Sequence, residues 1–177
     1  MHLYRNCNVA SSPEPYKTVF RLAGETGMRA RELCDLRWQD LDFERLIVSV
    51  EQKAWWGHLQ TPKSEGSVRR FSISESLAKH LQTRLNEWKP NQHGLIFATR
   101  NGTPWSCRKP LRELQVVLKE LKLTSARLHA FRHSQVTTAE REGVPLKTVQ
   151  GRVGHDNAEV TALYAHAVGE DDRKVLR

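Results

Sequence analysis

From residue 108 to residue 166 the chain reads as helix almost without pause. Segments of helical patterning cover about 108–121, 129–142, 145–153 and 157–166, and Gly143 and Gly154 separate the last three. Apolar residues recurring every three to four positions commit this third of the sequence to packed helices. Earlier, Tyr16, Val19, Phe20, Leu22 and Ala23 lay one apolar stripe on a further helix. Pro13 and Pro15 suit its first turn, Ser12 its N-cap and Gly27 its end. A short helix follows over Arg29–Leu36, and WQDLDFE turns the chain towards a strand.

Strand patterning is confined to the middle of the sequence. LIVSV (46–50), HLQTPK (58–63) and VRRFSIS (68–74) read as strands, the last two joined around Ser64-Glu65-Gly66. A helix over 75–88 has Ser74 as its N-cap, GLIFAT (94–99) reads as one more short strand, and RNGTPW as a turn. The expected fold class is therefore mostly α, of α+β type, with a small three-stranded antiparallel sheet. One domain over 13–166 is expected, after a loose lead-in (1–12) and before a charged tail (167–177).

With 177 residues the chain can bury a real core in one domain, or at most two small ones. Lys and Arg total 28 against 20 acidic residues, a net charge of +8. That balance favours a polyanionic partner, nucleic acid or an anionic membrane surface. Apolar runs such as Leu46-Ile47-Val48 are too short to span a bilayer, and the first fifteen residues hold no signal-length apolar stretch. Cys7, Cys34 and Cys107 are odd in number and far apart, with no CxxC pair. Neither a disulfide framework nor a cysteine–zinc site is expected, and a cytoplasmic location fits.

The segment HAFRHSQVTTA (129–139) places His129, Arg132 and His133 within one and a half helical turns. At about 100° per residue, Arg132 and His129 fall about 40° and 100° from Leu128, on the side that carries Val136 and Ala139. An arginine on a buried face needs an anion or a full set of acceptors. An internal ion pair or backbone acceptors would serve, and so would a phosphate oxyanion, which suits a planar fork of donors with a histidine one turn away. His129 and His133 also have the i, i+4 spacing of zinc-binding helices, but Ala130 stands where the metalloprotease pattern has Glu, and Arg132 would repel a cation.

Other positions can serve the same anion. TGMRAREL (26–33) sets Arg29 after a helix-ending glycine, with Glu32 placed to orient Arg29 or Arg31. TPKSEGSVRRF (61–71) carries Lys63 near a strand end. In GRVGHDNAEVTALYAHA (151–167), His155 follows Gly154 at a helix break, and Tyr164 shares an inward face with Val160 and Leu163. Taken singly, each has an ordinary reading: a solvated arginine, a solubilising lysine, a core tyrosine.

Together, TGMRAREL, HAFRH, VGH and a tyrosine nine positions after that last histidine resemble the catalytic domain of the tyrosine recombinase (phage integrase) family. The resemblance runs in order from about Tyr16 to His166. It implies the DNA breaking–rejoining fold, with catalytic residues at Arg29, Lys63, His129, Arg132, His155 and Tyr164, and Glu32 supporting an arginine. It implies site-specific DNA recombination or integration through a 3′-phosphotyrosyl intermediate, without metal or nucleotide cofactor. The implied partners are double-stranded DNA and other protomers, in a tetramer on paired sites, although the isolated domain could be a monomer. Arg69, Arg70, Arg108, Lys109 and Arg112 would then track the DNA backbone. Val153 replaces the leucine usual before Gly-His, and Lys53 competes with Lys63 as the family's hairpin lysine. Full-length members carry a separate N-terminal DNA-binding domain that this chain lacks, so a fragment or truncated member is expected. Type IB topoisomerase-like relaxation, a non-catalytic DNA-binding module of the same fold and a metal-dependent nuclease are the alternatives.

Overall fold

The first helix, α1 (Tyr16–Thr26), forms where its stripe predicts, and Val19, Phe20, Leu22 and Ala23 are all buried. These residues belong to a computed structural model that describes residues 12–50 and 69–154. The expected Ser12 cap is not used. Two prolines lacking N–H groups leave the first turn to hang from the Pro13 carbonyl, which accepts from Tyr16 and Lys17. The Glu14 carboxylate takes the Thr18 N–H and hydroxyl, at 3.3 and 2.6 Å. Gly27 closes the helix in the left-handed region, φ +65°, its N–H reaching the Ala23 carbonyl at 3.0 Å.

The chain divides into two compact units, residues 1–29 with 110–177, and residues 30–109. The helices of the first unit beyond α1 appear last in the sequence, after those of the second.

In the second unit, α2 (Ala30–Cys34) is shorter than expected, and a 3₁₀ turn over Trp38–Asp40 leads into the sheet. Strands β1 (Leu41–Asp42), β2 (Ile47–Val50) and β3 (Arg69–Ser72) pair antiparallel in that order, with Leu41 opposite Val48 and Val48 opposite Phe71. The first strand differs from expectation. Two residues are too few for alternation to register, and its turn is set by the Asp42 carboxylate, which accepts the Glu44 and Arg45 N–H groups. HLQTPK lies outside the described residues. Helix α3 (Glu75–Asn86) starts at the expected cap, where Ser74 Oγ accepts the Leu77 N–H at 3.1 Å.

GLIFAT is not a strand. It makes only isolated bridges, Arg37 to Leu95 and Ala98 to Pro104. The Asn91 amide takes both the Leu95 N–H and its carbonyl, and Trp88 Nε1 donates to the same carbonyl at 3.1 Å. Side chains thus satisfy backbone groups that a ladder would have used, while Leu95 and Phe97 stay buried.

Helix α4 (Arg108–Glu120) begins in the second unit and runs into the first, where Leu114, Val117 and Leu118 are buried. The loop after it is held by Gln115, whose amide donates to the Ala126 carbonyl at 2.6 Å and whose oxygen accepts from Ser125. Then come α5 (His129–Arg141) and α6 (Leu146–Val153). Phe131 of α5 stacks on Phe20 of α1, with centroids 6.0 Å apart. Val136 packs with Val149 and Val153 of α6. The expected helix over 157–166 lies outside the described residues. Among those described, no helix is long and apolar enough to cross a membrane.

Candidate active site

Two guanidinium groups of the first unit meet at the carbonyl of Gly154. Arg29 Nη2 donates to it at 2.6 Å and Arg132 Nη2 at 3.5 Å, while Arg132 Nη1 donates to the Gly27 carbonyl at 3.0 Å. Two helix ends and the first turn of a third helix create this meeting. Gly27 ends α1 and turns the chain so that Arg29 follows two residues later. Gly154 ends α6 at φ +66°, its N–H tied to the Gln150 carbonyl. Arg132 reaches both from the first turn of α5. The last carbonyls of a helix carry partial negative charge, which offsets some of the repulsion between two cations.

Arg132 is only 2% exposed. Of the alternatives open for a buried arginine, backbone acceptors therefore supply part of its pairing. Arg29 is half-buried. A third arginine, Arg152, fastens α6 to the end of α1 by donating to the Glu25 carbonyl at 2.9 Å.

His129 does not share the burial of Arg132, although both were expected on the apolar face. It is the first residue of α5 and exposed, because helical side chains lean towards the N-terminus and the first one projects past the helix end. Its ring stands edge-on to that of His133, with centroids 4.6 Å apart. Partial burial, then the neighbouring charges of His133, Arg132 and Arg29, lower the His129 pKa below the usual imidazole value. Burial and Arg132 do the same for His133. Both rings therefore favour the neutral form, which can accept a proton. Among the described residues no three His, Cys, Asp or Glu side chains gather as a metal-binding group.

Glu32 and Arg69 belong to the second unit and pair with each other, Arg69 Nη2 donating to Glu32 Oε2. Their side chains are 12% (Arg69) and 9% (Glu32) exposed. The carboxylate expected to orient Arg29 or Arg31 thus holds Arg69, and Arg69, expected along the DNA backbone, is largely enclosed. Arg31 lies 3.6 Å from Asp35. Arg70, Arg108, Lys109 and Arg112 are exposed, and Lys109 Nζ sits 4.0 Å from the centre of the Trp105 ring. Lys53, Lys63, His155 and Tyr164 lie outside the described residues. Sequence reasoning gave no role to His133 or to the Gly27 and Gly154 carbonyls. The HAFRH spacing pointed to the first, and nothing in a side-chain pattern points to the other two.

The family model described as "Phage integrase family" matches residues 1–170. The chain belongs to the phage integrase family. It is 29% identical to a XerC-like tyrosine recombinase of Caldanaerobacter subterraneus subsp. tengcongensis, over 86% of this chain and 46% of that protein. It is 33% identical to the ICEBs1 integrase of Bacillus subtilis, over 85% of this chain and 45% of that one. The chain thus spans about half the length of these phage integrase relatives. Among solved structures, the XerA recombinase superposes with a TM-score of 0.78 at 20% identity, over 99% of this chain and 61% of that one. The Tn1549 transposon integrase, in complex with circular intermediate DNA, gives 0.77 at 20% identity, over 97% of this chain and 64% of that one. The architecture, mostly helical with a small three-stranded antiparallel sheet, is that of these structures.

Proposed function

We propose that this chain is the catalytic domain of a site-specific DNA recombinase, which cleaves and rejoins strands through a 3′-phosphotyrosyl intermediate. The observation that carries the reading is the convergence of Arg29 and Arg132 on the Gly154 carbonyl. Two guanidiniums that share one backbone oxygen are spaced to share one phosphate. A phosphodiester carries about one negative charge, and more gathers on its non-bridging oxygens as the phosphorus becomes five-coordinate. Permanently charged, planar donors stabilise that build-up most strongly where they are already fixed by the fold. The names of the relatives, recombinases and integrases, support the same reading.

In this mechanism Tyr164 attacks phosphorus and forms the 3′-phosphotyrosyl bond. The phenol, with a reference pKa near 10, gives its proton to an acceptor, for which neutral His129 is suited. His155 donates to a non-bridging oxygen. Lys63 protonates the departing 5′-oxygen, a contribution of about 10²–10⁴-fold. The tyrosyl ester retains the energy of the broken bond, so rejoining to a new strand requires no ATP. The partner is double-stranded DNA, with exposed Arg70, Arg108, Lys109 and Arg112 along its backbone, and strand exchange requires further protomers on paired sites.

The test is a nicked suicide substrate, in which the 5′-hydroxyl fragment diffuses away and traps the protein on DNA. Wild type forms a covalent adduct that survives denaturation, with or without chelator. Tyr164→Phe forms none. An adduct in the Phe variant removes Tyr164 from the role, and loss of the wild-type adduct with chelator points to metal-dependent cleavage instead.

A further inference from the structure

Cys34 and Cys107, far apart in the sequence, come together in the second unit. Cys34 is the last residue of α2 and is buried. Cys107 directly precedes α4 and is half-buried. Both thiols line one cavity of about 470 Å³, with Arg31, Asp35, Trp105 and Arg108 among its other walls, and each perturbs the other's titration. The recombinase mechanism uses neither thiol.

The pair is asymmetric. The Cys34 hydrogen bond lowers the Cys107 pKa, and Arg31 lowers it further, against the opposing pull of burial and Asp35. The positive end of α4 favours a thiolate at the same place. Cys34 moves the other way, raised by its contact with Cys107 and by burial. Cys107 is therefore the more accessible sulfur and the one favoured as nucleophile, while Cys34 is enclosed beside it. This is the arrangement of an attacking cysteine beside a resolving one.

We propose that the cavity is a thiol-modification site, where Cys107 is oxidised by a hydroperoxide and Cys34 resolves the product as a disulfide. The Cys107 sulfur attacks one peroxide oxygen and the O–O bond breaks. Hydroxide leaves and takes a proton as water, and Cys107 becomes a sulfenic acid. The Cys34 sulfur, losing its proton, then attacks the Cys107 sulfur. The S–O bond breaks and the second oxygen leaves as water. Two thiols are oxidised by two electrons in all, and one hydrogen peroxide is reduced to two waters. The sulfurs close to about 2.05 Å, which ties the end of α2 to the start of α4.

The experiment uses the full chain, reduced, freed of reductant and exposed to hydrogen peroxide. It is then blocked with N-ethylmaleimide and digested without reductant for mass spectrometry. A Cys34–Cys107 peptide pair is expected, reversed by dithiothreitol and about tenfold or more in excess of any pair involving Cys7, since only a thiolate attacks readily. In Cys34→Ser, checked for its fold by circular dichroism, the sulfenic acid persists and a dimedone adduct maps to Cys107. Absence of the Cys34–Cys107 pair in oxidised wild type overturns the proposal whether or not the variant folds. So does a folded Cys34→Ser chain whose Cys107 takes no dimedone.

Discussion

Two glycines in the first unit end helices at nearly the same backbone angle but in different surroundings, and replacing each by alanine separates two costs. Gly27 has φ +65° and Gly143 φ +73°. A side chain in that region costs an L-residue roughly 1–2 kcal/mol. At Gly143 an added Cβ meets nothing within 4 Å, so Gly143→Ala should lose that amount and no more. At Gly27 the same Cβ lies 3.3 Å from Val153 Cγ1 and 3.5 Å from Gln135 Cβ. Val153 is fully buried in the α5–α6 contact, so it has little room to yield. Crowding a packed core with an extra methyl costs about 1–3 kcal/mol. The expected loss for Gly27→Ala is therefore about 2–5 kcal/mol. At about 2–4 °C per kcal/mol for a chain of this size, its Tm should fall by roughly 4–20 °C. Urea unfolding followed by circular dichroism gives both values on one scale. Equal losses for the two variants would refute the close approach of α6 to the end of α1. A loss under about 0.5 kcal/mol at both, the scale of an ordinary surface change, would refute the left-handed caps themselves. Because the Gly27 carbonyl accepts Arg132 Nη1, Gly27→Ala should also slow suicide-substrate cleavage, whereas Gly143→Ala should not.

Three further outcomes follow from other contacts. Glu32→Gln leaves Arg69 enclosed without its counter-charge and should cost about 3–5 kcal/mol in urea unfolding, whereas Glu32→Gln combined with Arg69→Met should recover much of that loss; an undiminished loss in the double variant counts against the pair. Arg132→Lys replaces a fork that spans two carbonyls with a point charge, and single-turnover cleavage should slow by roughly 10³-fold; a rate within threefold of wild type would deny Arg132 a place at the phosphate. The folded state depresses the pKa of both His129 and His133, so as pH falls through about 6.5 the unfolded chain binds protons first and stability drops from there downwards. Urea midpoints should therefore be lower at pH 5.5 than at 7.5, and His129→Gln with His133→Gln should flatten the difference; a difference unchanged in that double variant would assign the effect to other groups.

Helix positions were legible because burial imposes a period on side chains. Val19, Phe20, Leu22 and Ala23 announced α1, and Ser74 announced α3 by a cap chemistry that few residues possess. The pattern failed where backbone groups are satisfied by something other than their own element. Asn91 replaces a neighbouring strand at Leu95, and Glu14 and Pro13 replace the Ser12 cap. Within the candidate site, Arg132 stood out because an arginine on an apolar face is costly without a partner, whereas Arg29 stood out only through the resemblance of TGMRAREL to a family motif. Their meeting point did not, since it is a main-chain oxygen of Gly154. Glu32 was visible as a carboxylate near arginines, but which arginine it takes is set by the strand that brings Arg69 to it. The Cys34–Cys107 contact joins distant segments and leaves no mark in local spacing.

The face that α5 turns towards its neighbours is not a clean apolar stripe. Arg132 interrupts Phe131 and Val136, and two histidines occupy the opening turn. A peptide of residues 129–141 alone, thirteen residues with a basic, mixed surface, should stay largely unwound in water. Its coil-to-helix transition then depends on the hydrocarbon supplied by Phe20 on one side and by Val149 and Val153 on the other. Partial folding of this unit would leave its arginines dispersed, so competence at the phosphate should be lost together with the cooperative melt, never gradually ahead of it.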